Sequence, residues 1–320
     1  MNTKERLDRI VADVLSGDRR AVARSITLVE NSAEESAAIL HALYPRSGMA
    51  YRVGITGPPG AGKSTLTNRL AKHFRTQGLR VGIIAVDPTS PFTGGALLGD
   101  RVRMTDVELD DGVFIRSMAS RGSLGGLSKK AKEAADVLDA AGFHVVIMET
   151  VGVGQSELDI AQAADTTVVV LVPESGDGIQ AMKAGLMEIA DVFVLNKADR
   201  PGADQATMSI KMILGFRPHD DRSWMVDIVK TQANDGIGIT DVALQLERHR
   251  KFLETSGMLQ TRRKRRLTNR VRELVEERLH VDLWNEERLR MLARDVEHAY
   301  ARTTTPYAIA QTLIRNFRNG

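Results

Sequence analysis

The chain has 320 residues, 42% hydrophobic and 27% charged, with no cysteine. Disulfide frameworks, thiolate catalysis and cysteine-ligated zinc are thereby excluded, and the length suits one large α/β domain with extensions or two modest domains. The net charge of +3 is unevenly placed: from Arg262 onward 14 Lys/Arg stand against 8 Asp/Glu, so the rest of the chain is slightly acidic.

No apolar run approaches the roughly 18 residues of a membrane span, and the opening MNTKERLDRIVADVLSGDRR is too polar for a secretory leader. A cytoplasmic protein with no membrane partner is expected. Residues 1–48 carry helical periodicity in Leu7, Ile10, Val11 and Val14, then in Val22, Ile26 and Val29, then in Ala37, Ile39, Leu40 and Leu43. The breaker YPRSG at 44–48 marks a junction. Residues 49–255 follow a different pattern, in which short apolar runs alternate with amphipathic stretches. The strand candidates are YRVGIT, LRVGIIAV, GVFIR, FHVVIM, TTVVVLV, DVFVLN and MVDIV. Runs that are apolar throughout, separated by helices, predict a doubly wound α/β domain with a mostly parallel sheet covered on both faces.

Residues 256–320 return to helical spacing. Leu267, Val271, Leu274, Val275 and Leu279 form one stripe; Leu289, Leu292, Val296 and Tyr300 form another; Ile309, Leu313, Ile314 and Phe317 follow the break at TTTPY. Such stripes need a partner surface, either the α/β core or a second copy of the chain. The basic run Arg262, Arg263, Lys264, Arg265, Arg266 reads as a nucleic-acid or acidic-lipid surface, or as a solvated helix face. No aromatic residue interleaves it, which favours the solvated face.

GITGPPGAGKSTL holds an unbroken phosphate loop, Gly57, Pro58, Pro59, Gly60, Ala61, Gly62, Lys63 and Ser64, between a predicted strand and a predicted helix. Its glycines let the backbone wrap phosphates, and the helix start adds N–H donors and partial positive charge. Lys63 is placed for the β- and γ-phosphates, Ser64 for Mg2+ and Thr65 for the α-phosphate. The base is read farther on. Asn196, Lys197, Ala198 and Asp199 follow a strand as an N-K-x-D signature. The Asp199 carboxylate matches the N1–H and N2–H donors of guanine; adenine lacks that pattern and would leave a buried Asp199 unpaired. Asn196 can tie this loop to the phosphate loop, and the Lys197 stem can lie over the base. In the later KTQANDG stretch, Gln232, Ala233 and Asn234 offer backbone to the guanine O6.

Three acids at predicted strand or loop ends compete for Mg2+ and water: Asp87, Asp100 and Glu149. Magnesium takes hard oxygen ligands and keeps several waters, so one or two carboxylates suffice. METVGVGQSE, 148–157, has the shape of D-x-x-G with glutamate substituted, and Gly152 can offer its N–H to a γ-phosphate. Read alone, each acid is equally a helix cap or a surface charge.

Taken in order, GPPGAGKSTL, VDPTSPFTGGALLGDRVRM, FIRSMASRGSLGGLS, METVGVGQSE, PESGDGIQAMKAGLMEIAD and NKAD resemble the MeaB/ArgK family of P-loop GTPases over residues 50–255. The resemblance implies a SIMIBI-like GTPase fold that binds GTP/GDP and Mg2+. It implies a chaperone role toward an adenosylcobalamin-dependent acyl-CoA mutase, most of all methylmalonyl-CoA mutase. It also implies a first switch with Asp87 and Asp100, a second with Glu149 as the Walker B acid, and a third in which Lys183 answers the partner. A helical extension (1–48), a GTPase domain (49–255) and a homodimerising C-terminal arm (256–320) complete the expected layout. The guanine loop departs from the family in lacking a serine after Thr231.

The chemistry expected is phosphoryl transfer to water by positioning and charge neutralisation. Gln155 is available to orient water but lies three residues past Gly152, and no arginine finger is evident. Hydrolysis is therefore expected to be slow until a partner orders the switches. A small-molecule kinase, with Arg121 over the phosphates, and a metal-delivery GTPase are the competing readings. The first is opposed by the guanine signature, the second by absent cysteines and 7 scattered histidines.

Overall fold

The computed structural model describes residues 3–31, 34–88, 107, 109–120, 126–150, 156–173, 185–216 and 223–319. The chain divides into two compact units, residues 1–260 and 261–320.

The first unit opens with α1 (Thr3–Leu15), α2 (Arg19–Glu30) and α3 (Glu34–Leu43). Asp18 starts α2 by accepting the Ala21 N–H, one of the donors a helix start leaves open. The periodic residues Ile10, Val14, Val22, Ile26, Val29, Ile39 and Leu43 are all buried in a core shared with Leu138, Phe143 and Met148. These amphipathic helices thus find their apolar partner in the α/β region itself. A 3-10 turn over Tyr44–Arg46 occupies the predicted junction.

The sheet then builds in order: β1 (Tyr51–Thr56), α4 (Lys63–Thr76), β2 (Val81–Pro88), β3 (Val113–Ser120), α5 (Gly126–Ala140), β4 (Val145–Thr150), α6 (Ser156–Ala163), β5 (Thr166–Leu171), α7 (Leu186–Ile189), β6 (Val192–Leu195), α8 (Ala203–Leu214), β7 (Asp227–Lys230) and α9 (Ile239–Thr255). All seven predicted strands are present, in one sheet of order β3-β2-β4-β1-β5-β6-β7. Every pairing is parallel. Strands β1, β4, β5 and β6 are buried along their whole length, as apolar strands with helices on both faces must be. On the face opposite α1–α3, Leu66, Leu70 and Phe74 of α4 and Val242 and Leu246 of α9 pack on Val53, Ile55, Ile83 and Ile147.

The N-terminal ends of the central strands are fastened by buried polar groups. Arg52 on β1 is 5% exposed. Its guanidinium donates to Asp136 at 2.6 Å and to Asp139 at 3.4 Å. Burial opposes its charge, but Asp136, Asp139 and Asp165 outweigh that and raise its pKa. Asp139 also accepts the N–H groups of Gly48, Met49 and Ala50, which fixes the entry to β1. On the other side, the Tyr51 hydroxyl lies 2.5 Å from that of Thr166, which lies 2.7 Å from His249 Nδ1. His249 Nε2 reaches Asp191 at 3.3 Å, and Trp224 packs on the His249 ring at 4.8 Å.

In the second unit α10 (Met258–Leu283), which begins at the boundary, is followed by α11 (Glu286–Tyr300) and α12 (Pro306–Asn319). Asn285 caps α11 by accepting the Arg288 N–H at 2.9 Å. An apolar cleft of about 510 Å³ is lined by Trp284, Leu292, Val296, Tyr300, Ile309 and Leu313. The predicted α10 stripe stays close to half exposed, from 45% at Leu267 to 51% at Val271 and Val275. Among the described residues no helix is long and apolar enough to cross a membrane.

Candidate nucleotide site

The site lies at the C-terminal ends of the strands, where β1 sits between β4 and β5 and the chain's crossovers diverge, the usual position for a ligand in an open α/β sheet. β1 ends at Thr56, residues 57–62 form the loop, and α4 starts at Lys63, as the motif requires. Gly57, Gly60 and Gly62 have φ of 138°, 74° and 87°, a region side chains disfavour. A Cβ on Gly57 would run into the Val170 carbonyl, and one on Gly62 into the Asn196 amide. Two of these glycines therefore answer to neighbouring protein as well as to phosphate. The first turn of α4 leaves N–H groups facing the loop. Lys63 is buried, and its Nζ donates to the Gly57 and Pro58 carbonyls at 2.9 Å each, at the centre of the loop.

On the metal side, Ser64 Oγ donates to Glu149 Oε1 at 2.6 Å. Glu149 is not at the strand's end as the sequence suggested: β4 runs through Thr150, and Glu149 pairs in register with Ile55 and Ala85. It is 3% exposed, so the surface-charge reading does not hold for it. A hydroxyl and a carboxylate one hydrogen bond apart are hard oxygen donors of the kind Mg2+ takes. Asp87 belongs to β2, opposite Ala119 and one residue before the strand's end. Its side chain, and all of Asp100, Arg121, Gly152, Gln155 and Lys183, lie outside the described residues.

On the base side, Asn196 is a buried junction. Its Nδ2 donates to Ala61 O at 2.8 Å, while its Oδ1 accepts from Thr231 Oγ1 and Ala233 N–H at 3.0 Å each. The amide thus ties the phosphate loop to both base-side loops, one more than expected. Lys197, at φ 56°, sends its Nζ to Gly60 O at 2.8 Å. Asp199 is exposed, so discrimination by this carboxylate depends on the base itself to exclude water. The loop from Thr231 to Gly238 is closed by Gln232 pairing with Ile237. A residue outside every motif also enters here: Arg69, on α4, donates its Nε to Ala233 O at 3.0 Å and its Nη2 to Asn234 O. Nothing local marks an arginine 164 positions before its acceptor.

Two outcomes test this side of the site. Gly62→Ala pushes a Cβ into the Asn196 amide and strains φ, and is expected to weaken GDP binding about tenfold or more, read by fluorescence titration. Asp199→Asn turns one acceptor oxygen into a donor, which suits xanthine O2 rather than guanine N2–H. GDP affinity is expected to fall about 100-fold while xanthosine diphosphate gains, read by competition.

Comparison with known proteins agrees with this geometry. The family model described as methylmalonyl Co-A mutase-associated GTPase MeaB matches residues 22–288. A Pyrococcus abyssi protein named as a GTPase is 52% identical over 271 residues, covering 84% of each chain. The mitochondrial methylmalonic aciduria type A homolog of Mus musculus is 30% identical over 334 residues, covering 98% of this chain and 80% of its own. Among solved structures, that of an LAO/AO transport system kinase superposes with a TM-score of 0.74 at 28% identity, over 99% of both chains.

Proposed function

The chain belongs to the MeaB family of GTPases, and from that premise we propose that it uses GTP to gate cofactor loading or protection of an adenosylcobalamin-dependent acyl-CoA mutase in the cytoplasm. It is a GTP-hydrolysing enzyme. The observation that carries the mechanism is the Asn196 amide, which joins phosphate loop and base loops in one hydrogen-bonded unit. Support for the mutase comes from the family's description and from the mouse relative's name. In this reading residues 57–65 hold the phosphates, Lys63 neutralises charge on the β- and γ-oxygens, and Asp199 with the 232–234 loop reads guanine. Ser64 and Glu149, joined by Asp87 and Asp100, would hold Mg2+, which neutralises phosphate charge when bound. Lys183 and Gln155 would complete the charge and water positioning once a partner is bound.

The layout proposed is an extension over 1–48, a GTPase domain over 49–255 and an arm over 256–320 that forms a homodimer. The arm's support is the half-exposed stripe of α10 and the apolar cleft beside Trp284, surfaces that a second copy would cover.

The decisive experiment is GTP turnover by the purified protein with and without methylmalonyl-CoA mutase. Slow turnover alone and faster turnover with the mutase is expected, with Lys183→Ala losing the stimulation but keeping GDP binding. Rapid turnover unaffected by any acyl-CoA mutase would overturn the proposal. A kinase reading draws on the name of the solved relative; it requires transfer of the γ-phosphate to a small acceptor and tighter binding of ATP than of GTP, against the Asn196–Asp199 signature.

A further inference from the structure

The loop from Thr231 to Gly238 commits most of its backbone N–H groups to acceptors within the protein. The Gln232 N–H goes to Ile237 O at 3.1 Å, the Ala233 N–H to Asn196 Oδ1 at 3.0 Å, the Asp235 N–H to Gln232 O at 3.0 Å and the Gly236 N–H to Ala233 O at 3.3 Å. Among the described residues the Asn234 N–H has no acceptor. It belongs to the same peptide unit as the Ala233 carbonyl, and that carbonyl is the one Arg69 Nε grips at 3.0 Å. A trans peptide is planar, with its C=O and N–H pointing to opposite sides. Fixing the oxygen toward α4 therefore fixes the N–H away from α4. The guanidinium charge on the oxygen also polarises the unit and strengthens the N–H as a donor. The second contact, Arg69 Nη2 to Asn234 O, clamps the next peptide as well, so the fork spans two consecutive units.

We infer that Arg69 is a positioning residue for guanine recognition: it holds the Ala233–Asn234 peptide so that the Asn234 N–H donates to O6 of the base. The inference rests on the guanine-site reading above and deepens it. It narrows the O6 donor from Gln232, Ala233 and Asn234 to the last. It also links the phosphate helix to base selectivity through a side chain that grips the carbonyl oxygens of Ala233 and Asn234. Adenine carries an amino donor at the O6 position, so a rigidly aimed N–H there opposes it. A loosened loop would turn that N–H aside and lose part of the discrimination.

The test compares GDP with 6-thio-GDP, which keeps the N1–H and N2–H donors but replaces O6 by a weak sulfur acceptor, on wild type, Arg69→Ala and Arg69→Lys. Dissociation constants come from competition against a fluorescent GDP. Arg69→Ala is expected to weaken GDP about tenfold but 6-thio-GDP by less than about threefold, and to raise relative ADP affinity. Arg69→Lys, which can still donate to Ala233 O but cannot fork, should fall between. Equal losses for GDP and 6-thio-GDP would make Arg69 a general brace of the loop and overturn the inference; so would equal wild-type affinity for the two. The guanine reading itself is scored separately by inosine diphosphate, which lacks the N2–H donors facing Asp199 and keeps O6. Wild-type preference for GDP over inosine diphosphate can stand or fall without reference to Arg69. Thermal unfolding of each variant separates loss of fold from loss of recognition.

Discussion

Replacing Lys63 by Met is expected to lower kcat/KM for GTP hydrolysis by about 100- to 1000-fold, the effect of deleting one preorganised charged donor from a transition state. Lys63 is the buried cation at the centre of the phosphate loop, with Nζ held by the Gly57 and Pro58 carbonyls. Met retains the apolar stem and removes only the charge. The fold is expected to survive, because α4 is anchored by Leu66, Leu70, Ala71 and Phe74 rather than by its first residue. Turnover at saturating Mg2+ and the thermal midpoint, measured together, make the check. Turnover within about threefold of wild type would mean that the phosphates are neutralised elsewhere.

Arg52→Ala carries the largest expected loss of stability, about 3 kcal/mol or more, since removing one member of a buried ion pair leaves the other without its counter-charge. Asp139 bears most of that cost: its side chain is buried, 1% accessible. It retains the three N–H donors of Gly48, Met49 and Ala50, which places the expectation toward the lower end of the range. Denaturant unfolding measures the loss. Arg52→Met, which keeps the apolar stem and removes only the charge, should lose nearly as much. Near wild-type stability in that variant would point to lost packing of the arginine stem instead.

The strands were legible because a parallel sheet covered on both faces makes short, wholly apolar runs. TTVVVLV and DVFVLN became β5 and β6 within a residue or two. The phosphate loop was legible because its chemistry needs contiguous residues at fixed spacing. Glu149 was found but misplaced relative to its strand's end, since the apolar run stops before the hydrogen-bonded ladder does. The extension was legible as helices but not as part of the sheet's own core. An apolar stripe records that a partner is needed and says nothing of which one. Arg69, Arg52 and His249 could not be found at all. Each acts through acceptors far away in sequence, and an isolated charged residue carries no periodicity.

The polar fastenings at the N-terminal ends of β1 and β5 have a mechanical consequence. Tyr51, Arg52, Thr166, His249 and Asp191 anchor the sheet at the edge remote from the nucleotide, much as a comb is gripped by its spine. These bonds hold the strands in register from the end opposite the nucleotide. Amide hydrogen exchange is expected to be slowest around residues 51–53 and 166–168, and to stay slow there whichever nucleotide is bound.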